Sequence, residues 1–113
     1  MDIDWRIVFY RTPTGNRPVA EFLEEQDEET RDKILKALEL LQERNTRASY
    51  PLVRPIAGKL WELRIEQRTN IYRVFYFFYT GKQIVLLHAF QKKTQKTPNR
   101  EIQIAQKRMS EYP

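Results

Sequence analysis

Residues 59–93 read KLWELRIEQRTNIYRVFYFFYTGKQIVLLHAFQKK, and this stretch decides the fold. It contains three runs that are rich in β-branched and aromatic residues, 59–66, 71–79 and 84–93, which is the composition of β-strands. A polar break at 67–70 and a Thr-Gly-Lys break at 80–82 separate the runs. Parallel neighbours would need a crossover of about a dozen residues or more, so these short gaps predict an antiparallel meander.

Charged residues are set into these apolar strands. Side chains alternate between the two faces of a strand, so Arg73 shares a face with Phe75 and Phe77. A charge at such a position is costly unless the face is open to water or to an anionic ligand. In the first run, Trp61, Leu63 and Ile65 lie on one face, and Leu60, Glu62, Arg64 and Glu66 lie on the other. The pattern predicts a phosphate-binding surface that ends in the pair Lys92 and Lys93.

Length and composition limit the classes of protein that need considering. The 113 residues are enough for one domain, residues 1–113, with one core. Without cysteine there can be no disulfide framework and no thiolate metal site, which is compatible with a reducing cytoplasm. The first six residues lack the apolar run of a signal peptide, and no apolar run approaches the length of a membrane span. We therefore expect a cytoplasmic protein that does not enter the membrane.

The net charge of +5 is unevenly distributed along the chain. Residues 54–100 hold ten Lys and Arg but only two acidic residues, Glu62 and Glu66. Basic residues interleaved with aromatics favour a polyanionic partner such as RNA or DNA. The alternative is a solvated, slightly basic surface that serves solubility only, and charge alone leaves it open.

The rest of the chain predicts one more strand and three helices. Residues 3–10 form the strand, and Pro18 begins a helix that ends near Glu25. Asp27 is the N-cap of a second helix that ends near Arg44. A C-terminal helix has Thr97 as its N-cap and Pro98 at its first position. Apolar stripes on these helices comprise Val19, Phe22 and Leu23, then Ile34, Leu35, Ala37, Leu38 and Leu41, and finally Ile102, Ala105 and Met109.

The element order β-α-α-β-β-β-α predicts an α+β fold. We expect one mostly antiparallel sheet of four strands, with the helix hairpin on one face and the other face partly open. Residues 45–58 contain two prolines and are predicted to be an irregular connection that carries Arg47, Tyr50 and Arg54. A loop of this length is often functional, although a plain connector is equally consistent with the sequence.

Several segments together resemble a known family. They are Leu60-Trp61-Glu62-Leu63-Arg64, Tyr72-Arg73-Val74-Phe75-Tyr76, Leu86-Leu87-His88-Ala89-Phe90-Gln91-Lys92-Lys93-Thr94, and a C-terminal helix after Thr97-Pro98 with Ala105 and Arg108. The combination resembles the RelE/HigB-type toxins of bacterial type II toxin–antitoxin systems, and most closely their phage-derived HigB branch. The likeness covers nearly the whole chain and implies a RelE-like single domain.

The resemblance also implies an activity and its partners. Family members are endoribonucleases without a metal or other cofactor, and most cut mRNA in the ribosomal A site and thereby inhibit translation. The RNA 2′-hydroxyl attacks the adjacent phosphate and leaves a cyclic phosphate and a free 5′-hydroxyl. The expected partners are the ribosome, mRNA and a HigA-like helix-turn-helix antitoxin, and operator DNA is reached only through that antitoxin.

Cations that stabilise the charge developing on the phosphorus are the first site candidates. Arg64 and Arg73 fit best, because a guanidinium can donate two parallel hydrogen bonds to phosphate oxygens. By resemblance, Arg64, Arg73 and Lys93 fall at or near cationic catalytic positions of the family. Lys92 and Lys93 could clamp phosphate or assist the leaving oxygen, and Tyr76 and Phe90 could stack a base. The predicted RNA-binding residues are Lys59, Arg54, Tyr76, Phe90, Lys92 and Lys96.

The proton carriers are left open by the sequence. His88 is the only histidine and could be the general base, but it lies in an apolar strand where a core histidine is common. Glu62 is the other candidate base, and pairing with Arg64 is the preferred alternative. Three functions remain: a ribosome-dependent endoribonuclease, an RNA- or ribosome-binding inhibitor that does not cut, and an inactive toxin that acts as an antitoxin-bound co-repressor.

Overall fold

A mixed sheet with three helices is the architecture of the part of the chain that the computed structural model describes, residues 4–92 and 98–113. No helix among these residues is both long and apolar enough to span a bilayer. In chain order the elements are β1 (Arg6–Phe9), α1 (Pro18–Glu24), α2 (Glu28–Arg44), a single 3₁₀ turn (Asn45–Arg47), β2 (Val53–Ala57), β3 (Leu60–Gln67), β4 (Asn70–Tyr79), β5 (Gln83–Lys92) and α3 (Asn99–Met109).

The sheet confirms the predicted meander and adds to it. Its order is β1-β5-β4-β3-β2, and the meander of β3, β4 and β5 is antiparallel. The prediction of four strands was wrong, because part of the predicted connection forms the edge strand β2, which pairs with β3. An edge strand tolerates Pro55, since its missing N–H need not serve a second neighbour. In addition, β1 runs parallel to β5. The lengths of the gaps between neighbouring strands do not predict this orientation, because β1 and β5 are far apart in the chain.

The helix hairpin covers one side of the sheet, the hairpin face, as predicted. Asp27 is the N-cap of α2, and its carboxylate accepts a hydrogen bond from the Thr30 N–H at 2.8 Å. Leu35 departs from the prediction, because its side chain is 40% exposed on the outer side of α2. The core on the hairpin face includes Val19, Leu23, Ile34, Leu38, Leu41, Leu63, Ile65, Val74 and Tyr76.

The opposite face is only partly covered, by α3. Ala105 is fully buried against it, and Ile102 and Met109 pack beside Ala105 as predicted. The helix begins at Asn99 with Pro98 as its N-cap, one residue later than predicted, whereas Thr97 lies outside the described residues. A bulge between β4 and β5 shifts the register after the Phe75–His88 pair. As a result, the Leu87 and His88 side chains both reach this second face, and the stretch of sheet beyond α3 stays open.

Candidate active site

A cationic pocket occupies the open part of the face opposite the helix hairpin. It has a volume of about 510 Å³, which lies within the usual range for small-molecule sites. Strands β2, β3, β4 and β5 each contribute to its wall, so the sheet itself fixes the relative positions of the side chains. The lining residues are Tyr50, Pro51, Val53, Arg54, Glu62, Arg64, Thr69, Ile71, Arg73 and Lys92.

A buried carboxylate organises the pocket. The Glu62 side chain has no solvent exposure, and its Oε1 accepts a hydrogen bond from Arg54 Nε at 2.7 Å. Arg73 Nη1 also donates to this oxygen, from a side chain that is only 7% exposed. The predicted pairing of Glu62 with Arg64 is not observed, since Arg64 instead contacts Glu66 at 2.6 Å. Glu62 therefore orients Arg54 and Arg73, and its charge offsets part of theirs.

Arg64 and Arg73 face each other across β3 and β4, where they form a directly opposed pair. Two like charges in such positions destabilise a sheet unless something compensates for them. The Nε–H group of each arginine is buried and has no acceptor among the described residues. A buried donor without a partner is costly, and both of the side chains that carry these groups line the pocket. A phosphate diester offers the charge and the oxygens that these donors require.

Burial, and after it the neighbouring positive charges, lower the pKa values of two cations in the pocket. Burial lowers the pKa of Arg73, Glu62 counteracts this effect, and the charges of Arg54 and Arg64 add to the lowering. Burial likewise lowers the pKa of Lys92, and the neighbouring charge of Arg73 adds to it. An arginine nevertheless stays protonated at neutral pH. Binding of an anion would relieve the repulsion and raise both pKa values.

His88 lies in a hydrogen-bonded cluster with α3 and does not line the pocket. Its Nε2 is 2.5 Å from Glu101 Oε1, and its Nδ1 is 3.4 Å from Arg108 Nη1. Because Arg108 can only donate, Nδ1 must accept, and the ring is therefore neutral with its proton on Nε2. Burial lowers the pKa of His88, which agrees with a neutral ring. This placement does not support the general-base hypothesis, and it gives His88 a role in holding α3 against the sheet.

The His88 cluster predicts a loss of stability in mild acid. The pKa of His88 in the folded protein lies below its ordinary value of 6.5, so the unfolded chain binds more protons between these two values. The free energy of unfolding is therefore expected to fall as the pH drops from about 6.5 through the lower folded pKa, and to be fully retained above this window. Urea denaturation between about pH 5 and about pH 8 measures this slope. His88→Gln should show a shallower slope than wild type, and equal slopes would contradict the assignment.

The remaining predicted residues differ in where they lie. Tyr76 is 1% exposed on the hairpin face and Phe90 is 8% exposed between Phe75 and His88, so base stacking does not fit the position of either ring. Lys59 lies in the β2–β3 turn and lines a different groove. By contrast, Arg54, Arg64, Arg73 and Lys92 all line the pocket. Lys93 and Lys96 lie outside the described residues, and their roles stay predictions.

Tyr50 is a pocket residue that the sequence places in the 45–58 connection without a specific role. Its side chain is 76% exposed at the rim, directly before Pro51. In the sequence, Tyr50 could be recognised only as an aromatic residue in a proline-containing connection, close to Arg54. Within residues 4–92 and 98–113, no three His, Asp or Glu side chains cluster so that they could hold a metal ion.

Comparison with known proteins places the chain in a family. Residues 21–110 match the model of a family described as "Phage derived protein Gp49-like (DUF891)". The chain is also similar to proteins named "Probable endoribonuclease HigB1" from two strains of Mycobacterium tuberculosis, CDC 1551/Oshkosh and H37Rv. Each is 36% identical over 99 residues, which cover 86% of this chain and 76% of the relative. The chain thus belongs to the phage-derived Gp49-like family, and the resemblance to the phage-derived HigB branch is confirmed.

Proposed function

We propose that this protein is the toxin of a type II toxin–antitoxin pair, and that it cuts mRNA in the ribosomal A site at the cationic pocket. The carrying observation is the pair of buried Nε–H groups of Arg64 and Arg73, which have no acceptor among the described residues. Family membership and the similarity to relatives named as endoribonucleases support the same activity. Cutting of mRNA during translation would stop protein synthesis in the cytoplasm.

The proposed reaction is an internal phosphoryl transfer. The RNA 2′-oxygen attacks the adjacent phosphorus while the bond from phosphorus to the 5′-oxygen breaks. The proton of the 2′-hydroxyl leaves, and the departing oxygen takes up a proton. The products are a 2′,3′-cyclic phosphate and a free 5′-hydroxyl, and no water, metal or cofactor is consumed. Negative charge grows on the phosphoryl oxygens in the transition state, where Arg64 and Arg73 can donate to them.

Separate roles follow for the other pocket residues. Arg54 and Lys92 bind the flanking RNA backbone, and Lys92 is also near enough to the pocket to protonate the leaving oxygen. The lowered pKa of Lys92 makes that proton easier to release. Lys93 is proposed beside it on the basis of the resemblance. Glu62 positions the two arginines that it binds, which raises their effectiveness because they are oriented before substrate arrives.

We propose that a HigA-like helix-turn-helix antitoxin neutralises this toxin. The complex would bind operator DNA through the antitoxin, so the toxin itself needs no surface for sequence recognition. Occlusion of the cationic pocket by the antitoxin would be the simplest means of inhibition, because it would remove the phosphate-binding donors.

A second candidate function is an inhibitor that binds RNA or the ribosome without cutting. It is favoured by one observation: the two candidate general bases, Glu62 and His88, are both engaged with other side chains. Glu62 binds two arginines, and both ring nitrogens of His88 have partners in α3. The third possibility, an inactive toxin that acts only as a co-repressor, has no observation of its own in its favour.

Primer extension on an mRNA in a reconstituted translation reaction separates these functions. We expect the wild-type protein to produce discrete cuts with 5′-hydroxyl ends, and only when ribosomes are present. Intact mRNA together with arrested translation would move the protein to the non-cutting class. Intact mRNA with normal translation would leave only the co-repressor. Cuts without ribosomes would show that the pocket is complete in itself and would overturn the ribosome dependence.

A further inference from the structure

Tyr50 is an exposed aromatic ring at the edge of a charged pocket. Among the described residues, Tyr50 and Leu35 are the large apolar side chains that stay exposed, and only Tyr50 adjoins the pocket. None of the ring contacts within the described residues involves Tyr50. The two faces of the ring are therefore not committed to another aromatic side chain. An exposed aromatic next to convergent cations is a recurrent arrangement for single-stranded nucleic acid.

The backbone holds Tyr50 in place even though its side chain is exposed. The N–H groups of Leu52 and Val53 donate to the Ser49 carbonyl at 3.1 and 3.3 Å, which closes a turn around Tyr50. The Leu52 carbonyl accepts from the Arg64 N–H at 2.9 Å, which ties this turn to β3. Val53 is 2% exposed and anchors the other end in the core. The backbone turn that carries Tyr50 is thus hydrogen-bonded to the strand that carries Arg64, which limits the backbone ordering that binding would require.

We propose that Tyr50 stacks on an unpaired base of the RNA, next to the phosphate that Arg64 and Arg73 bind. This inference rests on the proposed function, since it concerns the same substrate at the same pocket. Every nucleobase has a π-face, so such stacking would orient the RNA without strong dependence on sequence. It supplies the aromatic contact that the buried rings of Tyr76 and Phe90 cannot provide.

Substitutions at Tyr50 test this role by shape and chemistry. Tyr50→Ala and Tyr50→Leu are expected to lower kcat/KM for cutting by roughly 5- to 150-fold, the range that loss of one base–aromatic stack produces. Tyr50→Phe and Tyr50→Trp keep a ring and should cut within about 3-fold of wild type. Leu35→Ala is the matched control, because it removes the other exposed apolar side chain and should leave cutting unchanged. The melting temperature should stay the same in all of these variants.

The cutting rate on a modified RNA distinguishes base stacking by Tyr50 from a purely structural role, because a structural role would not depend on the presence of a base. An abasic ribonucleotide placed on either side of the cut should slow wild type by a similar factor at one of the two positions. The same modification should cause no further loss in Tyr50→Ala, because that stack is already gone. Wild type is first assayed with and without ribosomes. All rates are then measured under the condition in which wild type cuts.

The outcomes separate this inference from the proposed function. If Tyr50→Ala cuts like wild type while Arg73→Lys is slow, the stacking role is overturned and the nuclease stands. If Tyr50→Leu matches Tyr50→Phe, the contact is apolar rather than aromatic and the inference is again overturned. If wild type cuts neither with nor without ribosomes, the proposed function fails and the inference fails with it.

Discussion

Replacement of Arg73 by alanine is expected to slow RNA cutting by roughly 100- to 1,000-fold, which is the loss that follows removal of one preorganised transition-state donor. Arg73 is 6% exposed, lines the pocket, and has an Nε–H without an acceptor among the described residues. Single-turnover cutting in the reconstituted translation reaction measures this loss directly. Growth arrest on expression should disappear as well.

Arg73→Lys separates geometry from charge. Lysine keeps the positive charge beside Glu62 but lacks the planar fork of donors. The loss of one hydrogen bond to a charged group costs about 1.5–3 kcal/mol, so cutting should slow by roughly 10- to 150-fold. Arg68→Ala is the control, since Arg68 is 71% exposed and pairs with Glu29 away from the pocket. Full cutting by Arg73→Ala in a folded protein would rule out this site.

Replacement of Glu62 by alanine is expected to lower the free energy of unfolding by about 3–5 kcal/mol, the cost of leaving a buried charge without its partner. Arg73 would remain buried without the carboxylate that it binds, beside the positive charges of Arg54 and Arg64. Urea denaturation at neutral pH measures the change. Glu62→Gln keeps one acceptor oxygen, so it should lose less stability and still report how far cutting depends on the orientation of Arg73.

Glu66→Ala is the matched control for Glu62→Ala. Both carboxylates lie on β3 and pair with an arginine, but Glu66 is 61% exposed. Exposed ion pairs contribute little, so this variant should stay within about 1 kcal/mol of wild type. Similar small losses in both variants would mean that Glu62 does not organise the pocket.

The local parts of the fold could be predicted from the sequence because short-range rules determine them. The β3–β5 meander follows from alternating apolar residues with short gaps, and α2 follows from the Asp27 cap and the spacing of Ile34, Leu38 and Leu41. Orientation of β1 depends on pairing with β5, which is distant in the chain, and periodicity carries no information about it. Strand β2 was hidden because Pro55 reads as a break unless the strand is known to lie at an edge.

The charged residues of the site could be predicted from the sequence. The position of its aromatic residue could not. Arg64 and Arg73 stood out because cations inside apolar strands need a compensating partner. The bulge in β5 was not visible, and it sets which face His88 and Phe90 occupy. Tyr76 and Phe90 lie near the cations in the chain, but whether their rings are exposed depends on the packing of α2 and α3. Tyr50 comes from outside the strand motif, so only the folded turn brings it to the pocket.

A charge-matched comparison tests most directly whether the pocket, rather than the net charge of +5, performs the cutting. One double variant, Arg64→Gln with Lys92→Gln, removes two cations from the pocket. The other, Arg68→Gln with Lys82→Gln, removes two cations from surface ion pairs with Glu29 and Asp4. We predict that the first loses at least roughly 100-fold in single-turnover cutting on ribosomes while the second cuts like wild type. Equal rates in the two double variants, whether both slow or both normal, would contradict the pocket as the active site.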